Sequence, residues 1–163
     1  MQELFITGLG YVSDCEEQLI KALPKMAQNS SNSQLKAAFE QHLKETENHA
    51  QRLKQIFAKL GKKPGSETNE VVKAMTKEAD GMISSIQEPH LRDAALIVAG
   101  NQVEHYEMAA YGSLRNFAQE LGMSEAANLL EQTLQEEKAA DAKLTQIGNT
   151  SINREANHMH AHA

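Results

Sequence analysis

The sequence has little of what β-proteins, disulfide-bonded proteins and membrane proteins need. Its 163 residues include one cysteine, Cys15, which excludes an internal disulfide and a metal site of four cysteines. Aromatic residues make up only 4% of the chain, and the alternating β-branched and aromatic runs typical of strands are missing. The uncharged stretch near the middle, "AALIVAGNQV", is far shorter than the roughly 20 residues that span a membrane. These absences predict a helical protein with no membrane partner.

Basic residues are outnumbered as well. The chain has 16 Lys and Arg against 22 Asp and Glu, a formal net charge of −6. This balance argues against nucleic acid or an anionic membrane as the main partner, and it suits a protein that attracts cations. The first residues lack the basic start and small-residue cleavage site of a signal peptide, so we expect a cytoplasmic protein.

The residues that are plentiful, chiefly Ala, Leu, Glu, Gln, Lys and Met, are the good helix formers, and the predicted fold class is all-α. Hydrophobic periodicity and punctuation predict five helices, at residues 2–28, 34–60, 67–86, 89–121 and 124–148. Residues 1–148 should form one domain. Residues 149–163 are polar and contain histidines, and we expect a flexible tail there.

The connections between the helices predict how they pack. Helices one and two are joined by a short turn, as are helices four and five, so each pair should form an antiparallel hairpin. Ser33 and Ser124 are the expected N-caps, and Gly122 and Gly148 should end the helices that precede them. A long crossover with its own short helix joins the two hairpins, which is the arrangement of ferritin-like four-helix bundles.

Acidic residues interrupt the apolar seam of each of the four long helices at one height. In the first hairpin Glu16 and Glu45 each lie about 14 residues from the turn, and His49 follows Glu45 by one helical turn. The acids of the second hairpin, about 15 to 19 residues from its turn, are Glu104, Glu107, Glu137 and Asp141. Buried carboxylates repel one another unless a cation neutralises them, so this level is the predicted metal site.

Other polar residues near this level receive more ordinary interpretations. His49 is a ligand or an orienting partner of Glu45, and these alternatives stay open at this point. His42 should support a ligand or lie at the surface, and Glu17 and Glu136 should be solvated. His105 is expected to be exposed or structural, Tyr106 and Tyr111 to lie in the core or bond a ligand carboxylate, and Cys15 to be a small buried residue. The tail histidines His158, His160 and His162 could bind metal weakly.

Four segments, "SDCEEQLIKALPKMA", "HLKETENHAQRL", "RDAALIVAGNQVEHYEMAAYGSL" and "LQEEKAADAKL", resemble in order and spacing the bacterial YciE/YciF-type ferritin-like family. That family lies within the ferritin-like di-iron carboxylate superfamily. The resemblance implies a stress-associated metal-binding protein, and it favours a homodimer. The crossover helix, with Met75, Met82, Ile83 and Ile86, is the expected apolar dimer contact.

Carried over to this chain, the resemblance makes Glu16, Glu45, Glu104, Glu107, Glu137 and Asp141 the metal ligands, with His49 as a further candidate. Two positions depart from the superfamily pattern. Asn48 stands where a histidine is expected, with His49 one residue later, and Asp141 stands where the last helix would carry a histidine. The site is therefore rich in oxygen ligands, which suits Fe, Mn, Mg or Ca better than Zn or Cu.

The expected cofactor is two Fe ions, with Mn possible, and the expected chemistry is oxidation of Fe(II) or consumption of O₂ or peroxide in a stress response. A rubrerythrin is excluded because its electron-transfer module needs a C-x-x-C motif. The alternative is a non-catalytic helical bundle that acts through structural metal binding or protein–protein contacts.

Overall fold

Long helices account for nearly all of the backbone in a computed structural model of the chain, which describes residues 1–160, with side chains through residue 157. The α-helices are α1 (Gln2–Asn29), α2 (Ser33–Lys59), α3 (Glu70–Ser85), α4 (Pro89–Glu120), α5 (Ser124–Ile147) and α6 (Asn153–His160). No strand occurs within the described part of the chain. The all-α class and the five predicted helices are confirmed, each to within three residues at its ends.

The four long helices form two antiparallel hairpins, α1 with α2 and α4 with α5, which pack side by side. α2 contacts α5, α1 contacts α4, and α3 lies against both α1 and α4. The apolar core is divided into two clusters. One contains Phe5, Leu9 and Phe57, and the other contains Leu35 and Leu96. A buried polar layer separates the two clusters, and this layer is the level at which the acidic residues were predicted.

The first hairpin turn is held by a residue of the second hairpin. Asn32, rather than the predicted Ser33, is the N-cap of α2, and its side chain accepts hydrogen bonds from two backbone N–H groups of the first turn. Asp93 on α4 is fully buried and accepts hydrogen bonds from the backbone N–H groups of Ser31 at 2.8 Å and Asn32 at 2.7 Å. One carboxylate thus ties the turn to the neighbouring helix.

Of the two residues predicted to shape the second hairpin turn, Gly122 and Ser124, only Gly122 has its predicted role. Gly122 has a φ of +71°, a left-handed conformation that costs glycine little, and it ends α4 as expected. Met123 precedes α5 as its N-cap and makes no side-chain cap hydrogen bond, so the predicted capping role of Ser124 is wrong.

The predicted flexible tail is helical in its described part, which is a correction to the sequence-based expectation. Gly148 has a right-handed helical conformation, so it does not end the chain's helical course, and a π-helical turn follows (Gly148–Ile152) before α6. Ile152 is fully buried and Ala156 nearly so, and their spacing of four residues places them on one face of the helical segment that runs from the π-helical turn into α6. That apolar face packs α6 on α4. The side chains of His158, His160 and His162 lie outside the described residues.

The apolar face of α3 packs against the bundle of its own chain, and a dimer contact through this helix stays a prediction. Val72 and Ala79 are buried, and Met75, Met82 and Ile83 pack against the bundle core.

Among the described residues, no helix is both long and apolar enough to cross a membrane.

Candidate metal centre

The polar layer between the two apolar clusters contains four buried glutamates and two buried histidines. Each long helix supplies at least one of them, because each carries its polar residue on the seam that faces the bundle axis. The glutamates, at most 3% exposed, are Glu16, Glu104, Glu107 and Glu137. The histidines, both on α2, are His42 and His49. All four glutamates and His49 were predicted at this level.

These six residues form two groups that share one member. In the first group, His42, Glu104, Glu107 and Glu137 each place one potential ligand atom within 4.8 Å of the others. In the second group, Glu16, His49 and Glu137 do the same. Glu137 therefore lies between the two groups, with a carboxylate that has one oxygen for each side.

The distances within the groups are short enough for ion pairs between the histidines and the glutamates. His42 Nε2 lies 3.1 Å from Glu104 Oε1 and 3.5 Å from Glu137 Oε2. His49 Nδ1 lies 2.9 Å from Glu137 Oε1 and 3.5 Å from Glu16 Oε1. Both nitrogens nevertheless lack a hydrogen bond of acceptable angle within the described residues. The atoms of each group thus converge on a common point without well-aligned hydrogen bonds to one another.

Buried atoms without a hydrogen bond are concentrated in this layer. Ten buried side-chain nitrogen and oxygen atoms lack a partner in the described part of the chain, and seven of them belong to the two groups. Each such atom costs about 1–3 kcal/mol, more if charged, when nothing satisfies it. A cation at each convergence point would satisfy them together.

The second nitrogen of each histidine is held by a carboxylate outside the groups. Glu136 lies 2.8 Å from His49 Nε2 and also accepts two hydrogen bonds from Arg52, at 2.6 and 2.7 Å. Glu45 lies 3.3 Å from His42 Nδ1. Such contacts fix the tautomer and the ring orientation of a metal-binding histidine, because the outer nitrogen keeps the proton and the inner one presents its lone pair.

Glu136 was predicted to be solvated, and the structure corrects this. Its neighbour Glu137 faces the bundle axis, and the rotation of about 100° between adjacent helical residues turns Glu136 toward α2 rather than toward open solvent. One feature of the sequence could have indicated this contact. His49 and Arg52 lie one turn apart on α2, and both can bond a carboxylate on the facing helix.

Two of the buried glutamates also accept hydrogen bonds from buried side chains outside the two groups. The Tyr111 hydroxyl donates a hydrogen bond to Glu16 Oε1, so the expectation that a tyrosine bonds a candidate ligand is met. The Cys15 thiol donates a hydrogen bond to Glu107 Oε1 at 3.5 Å. Cys15 therefore contacts the site, beyond its predicted role as a small buried residue. In each of these two glutamates the other oxygen, Oε2, is buried and lacks a hydrogen bond within the described residues.

Two predicted ligands, Glu45 and Asp141, lie at the edge of the layer and belong to neither group. The Glu45 side chain is 28% exposed and bonds His42. The Asp141 carboxylate accepts a hydrogen bond from Asn101 at 2.5 Å and lies 3.1 Å from the exposed His105. Both carboxylates face outward in this conformation, and their role as ligands stays a prediction.

His42 is the residue that sequence reasoning undervalued. It is 5% exposed and belongs to the first group, whereas we expected a supporting or surface position. The signal was its spacing of seven residues from His49, which places both imidazoles on one face of α2 two turns apart.

Burial and mutual repulsion shift the protonation of the layer. Burial raises the pKa of Glu107 well above its usual value, and repulsion by Glu137 and Glu16 adds to this. Burial raises the pKa of Glu137 to about 7, against the opposing effect of His49. Burial alone would lower the pKa of His49, but contact with Glu137 and Glu16 outweighs it and raises that pKa to about 10. Without a cation, the layer therefore holds protons that carboxylates would normally release at neutral pH.

Comparison with known proteins gives the family. Residues 1–157 match the family described as Domain of unknown function (DUF892). The chain is also 40% identical to protein YciF of Escherichia coli strain K12, across 96% of this chain and 95% of that protein. The chain belongs to the DUF892 family. The predicted resemblance to YciF is confirmed.

Solved structures agree with the fold described above. The crystal structure of the E. coli stress protein YciF matches with a TM-score of 0.89 at 39% identity, covering 93% of this chain and 96% of that one. YcfI from Rhodopseudomonas palustris matches with a TM-score of 0.86 at 39% identity, covering 89% and 92%. A two-domain protein of Anabaena variabilis with a ferritin-like domain matches at 14% identity with a TM-score of 0.62, over 94% of this chain and 38% of that one. This last likeness shows the fold alone, and the ferritin-like class is confirmed.

Proposed function

We propose that the polar layer binds two metal ions, iron with manganese as the alternative, and that Glu137 bridges them. The observation that supports this most directly is the membership of Glu137 in both ligand groups. Both of its oxygens are buried and lack a hydrogen bond within the described residues; Oε2 lies 3.5 Å from His42 Nε2 and Oε1 lies 2.9 Å from His49 Nδ1. A carboxylate in that position can bind one ion with each oxygen.

The donor set suits such a pair in charge and in chemistry. Four glutamates carry four negative charges when fully ionised, and two divalent cations would balance them while the histidines stay neutral. Carboxylate oxygens with one imidazole per group favour Fe and Mn over the thiolate-seeking metals. Cys15 offers no competing ligand, because it lies outside both groups and its thiol donates a hydrogen bond to Glu107.

The chain's own residues prepare the centre in three ways. Glu136 and Glu45 hold the outer nitrogens of His49 and His42, so the inner nitrogens face the ions. Tyr111 fixes the orientation of Glu16. The apolar clusters above and below the layer restrict water, which strengthens the electrostatic interactions inside it. Bound iron would supply the redox step, oxidation of Fe(II) coupled to reduction of O₂ or peroxide, in keeping with the stress-protein description of E. coli YciF.

The alternative function is structural. The ligand groups draw residues from α1, α2, α4 and α5, so an ion bound there would join both hairpins whatever its redox chemistry. A redox-inert ion would then contribute to the stability of the bundle, and the protein would act through its surface.

Anaerobic titration of the metal-free chain with Fe(II), followed by exposure to O₂ or H₂O₂, separates these functions. We expect two Fe(II) per chain and consumption of the oxidant in proportion to the iron. One ion or none per chain would contradict the dinuclear centre. Two ions with no oxidant consumed, together with a large loss of stability on chelation, would establish the structural alternative.

A further inference from the structure

A cavity of about 350 Å³ lies between α2 and α5, beside the candidate metal centre. Its volume falls at the lower end of the range of small-molecule sites, roughly 300–1,000 Å³. The walls are mainly apolar and include Phe39 and Leu144 together with four alanines, Ala37 and Ala38 on α2 and Ala139 and Ala140 on α5. Larger side chains at these positions would close the gap, so the alanines keep the space open.

The cavity reaches the metal centre at its inner end. His42 and Glu104 line it, and both are also members of the first ligand group. Both side chains are more than nine-tenths buried, and His42 Nε2 and Glu104 Oε2 lack a hydrogen bond within the described residues. The cavity therefore combines an apolar body with a buried His42–Glu104 ion pair at its inner end.

The charges along the cavity give a ligand its direction. At the inner end His42 already pairs with Glu104 at 3.1 Å and with Glu45 at 3.3 Å, so no unpaired cation is left among the described residues there for an anionic group. Lys143 is exposed and is the one lysine or arginine among the described lining residues. It makes no ion pair in the described part of the chain. An anionic group would therefore be favoured at Lys143, and an apolar group along the alanines.

We propose that this α2/α5 cavity binds a small organic carboxylate with an apolar body, whose carboxylate contacts Lys143 and whose apolar part lies along Ala38 and Ala140. As a binding site the cavity stands without the metal ions. Only its use as the site of an organic substrate, brought close to the centre at His42, depends on the proposed function.

Titration of the metal-free, full-length chain with sodium octanoate tests the proposal, with amide NMR shifts as the readout. We expect saturable shifts in α2 and α5. Ala140→Leu should weaken binding by about tenfold or more, because a well-filled space penalises added methylenes by about 1–3 kcal/mol. Ala142→Leu is the matched control, since Ala142 is exposed on the same helix and does not line the cavity. Ala37→Leu repeats the test from the facing helix.

The charged end is tested separately. Lys143→Ala should weaken octanoate binding by up to about fivefold, the range of an exposed ion pair, whereas Lys138→Ala on the same helix should not. Octanol should bind more weakly than octanoate to the unaltered chain. Equal binding of octanol and octanoate, no effect of Lys143→Ala, or equal effects of Ala140→Leu and Ala142→Leu would each overturn the proposal, as would the absence of binding at millimolar octanoate.

Metal stoichiometry of Ala140→Leu keeps the two proposals apart. If this variant loses octanoate binding and keeps two ions per chain, the cavity is a ligand site distinct from the centre. If the unaltered chain binds octanoate but no metal, the cavity proposal stands and the proposed function fails.

Discussion

Glu137→Gln is the substitution that tests the shared ligand most directly. The change keeps the size of the side chain and removes the negative charge that both ligand groups use. The first group then retains His42, Glu104 and Glu107, while the second retains only Glu16 and His49. A pair of residues is too few for tight binding, so we expect the stoichiometry to fall from two ions to one or none.

The expected size of the effect follows from the position of Glu137. Loss of a residue that merely orients a ligand weakens metal affinity by about 10–100-fold. Loss of a direct ligand should exceed that range, so the affinity of each ion should fall by more than about 100-fold, or about 2.7 kcal/mol. Because burial raises the pKa of Glu137 to about 7, part of the metal-free molecules already carry this carboxyl neutral at neutral pH. The stability of the metal-free variant should therefore change by less than about 2 kcal/mol.

Two further variants make the comparison specific. Glu104→Gln removes a ligand from the first group alone, so one ion should still bind as tightly as in the unaltered chain. Glu17→Gln changes an exposed neighbour of Glu16 and should leave both ions in place. Isothermal titration with Mn(II) under anaerobic conditions gives affinity and stoichiometry for all four proteins. If Glu137→Gln binds two ions, or cannot be distinguished from Glu104→Gln, then Glu137 is not a shared ligand.

Glu136→Gln should weaken one of the two ions by about 10–100-fold, because His49 loses the carboxylate that orients it; an unchanged Mn(II) titration would contradict this. Asp93→Asn should lower the free energy of unfolding by about 2–3 kcal/mol in urea denaturation, because a buried carboxylate that accepts two backbone hydrogen bonds loses its charge, while two ions still bind. The metal-free protein should lose stability as pH rises. The pKa of Glu137 is raised from 4.5 to about 7, so the folded state binds more protons than the unfolded state, and this contribution is complete below pH 4.5 and lost through pH 7. The contribution of His49 to stability is complete below pH 6.5 and is lost as the pH rises through about 10. Urea denaturation in chelator at pH 6 and pH 8 checks the direction, and added Mn(II) should reverse it because ligands must be deprotonated to bind metal. Equal stability at both pH values without metal would refute the assigned protonation.

The height of the polar layer was predictable because it depends on local geometry and chain length alone. A helix rises about 1.5 Å per residue, so equal distances from a short turn place Glu16 and Glu45, or Glu107 and Glu137, side by side. The interruption of an apolar seam by acid marks the inward direction on each helix. These two rules were enough for the four buried glutamates and for His49.

The rim of the layer was not predictable in the same way. Glu45 and Glu136 lie on helical faces between the core and solvent. Glu45 bonds His42 on its own helix, whereas the contact of Glu136 with His49 depends on how α5 packs against α2. Asp141 on α5 bonds Asn101 on α4, and Asp93 on α4 bonds a turn more than 60 residues away in sequence. Most of these partners come from another helix, and periodicity within one helix carries no information about them.

The C-terminal segment shows the same division. Its composition is polar, and Ile152 and Ala156 alone do not distinguish a packed helix from a tail. What decides the outcome is the apolar surface that α4 offers, against which both side chains are buried.

By itself, then, the sequence determined the helices, their pairing into hairpins and the level at which four glutamates meet, because these follow from period, turn length and rise per residue. Only the tertiary structure decided that His42 joins the centre, that Glu137 lies between two ligand groups and that Glu45 and Asp141 face outward. Those outcomes depend on how two hairpins rotate and pack against each other, and packing between segments distant in sequence has no local signature.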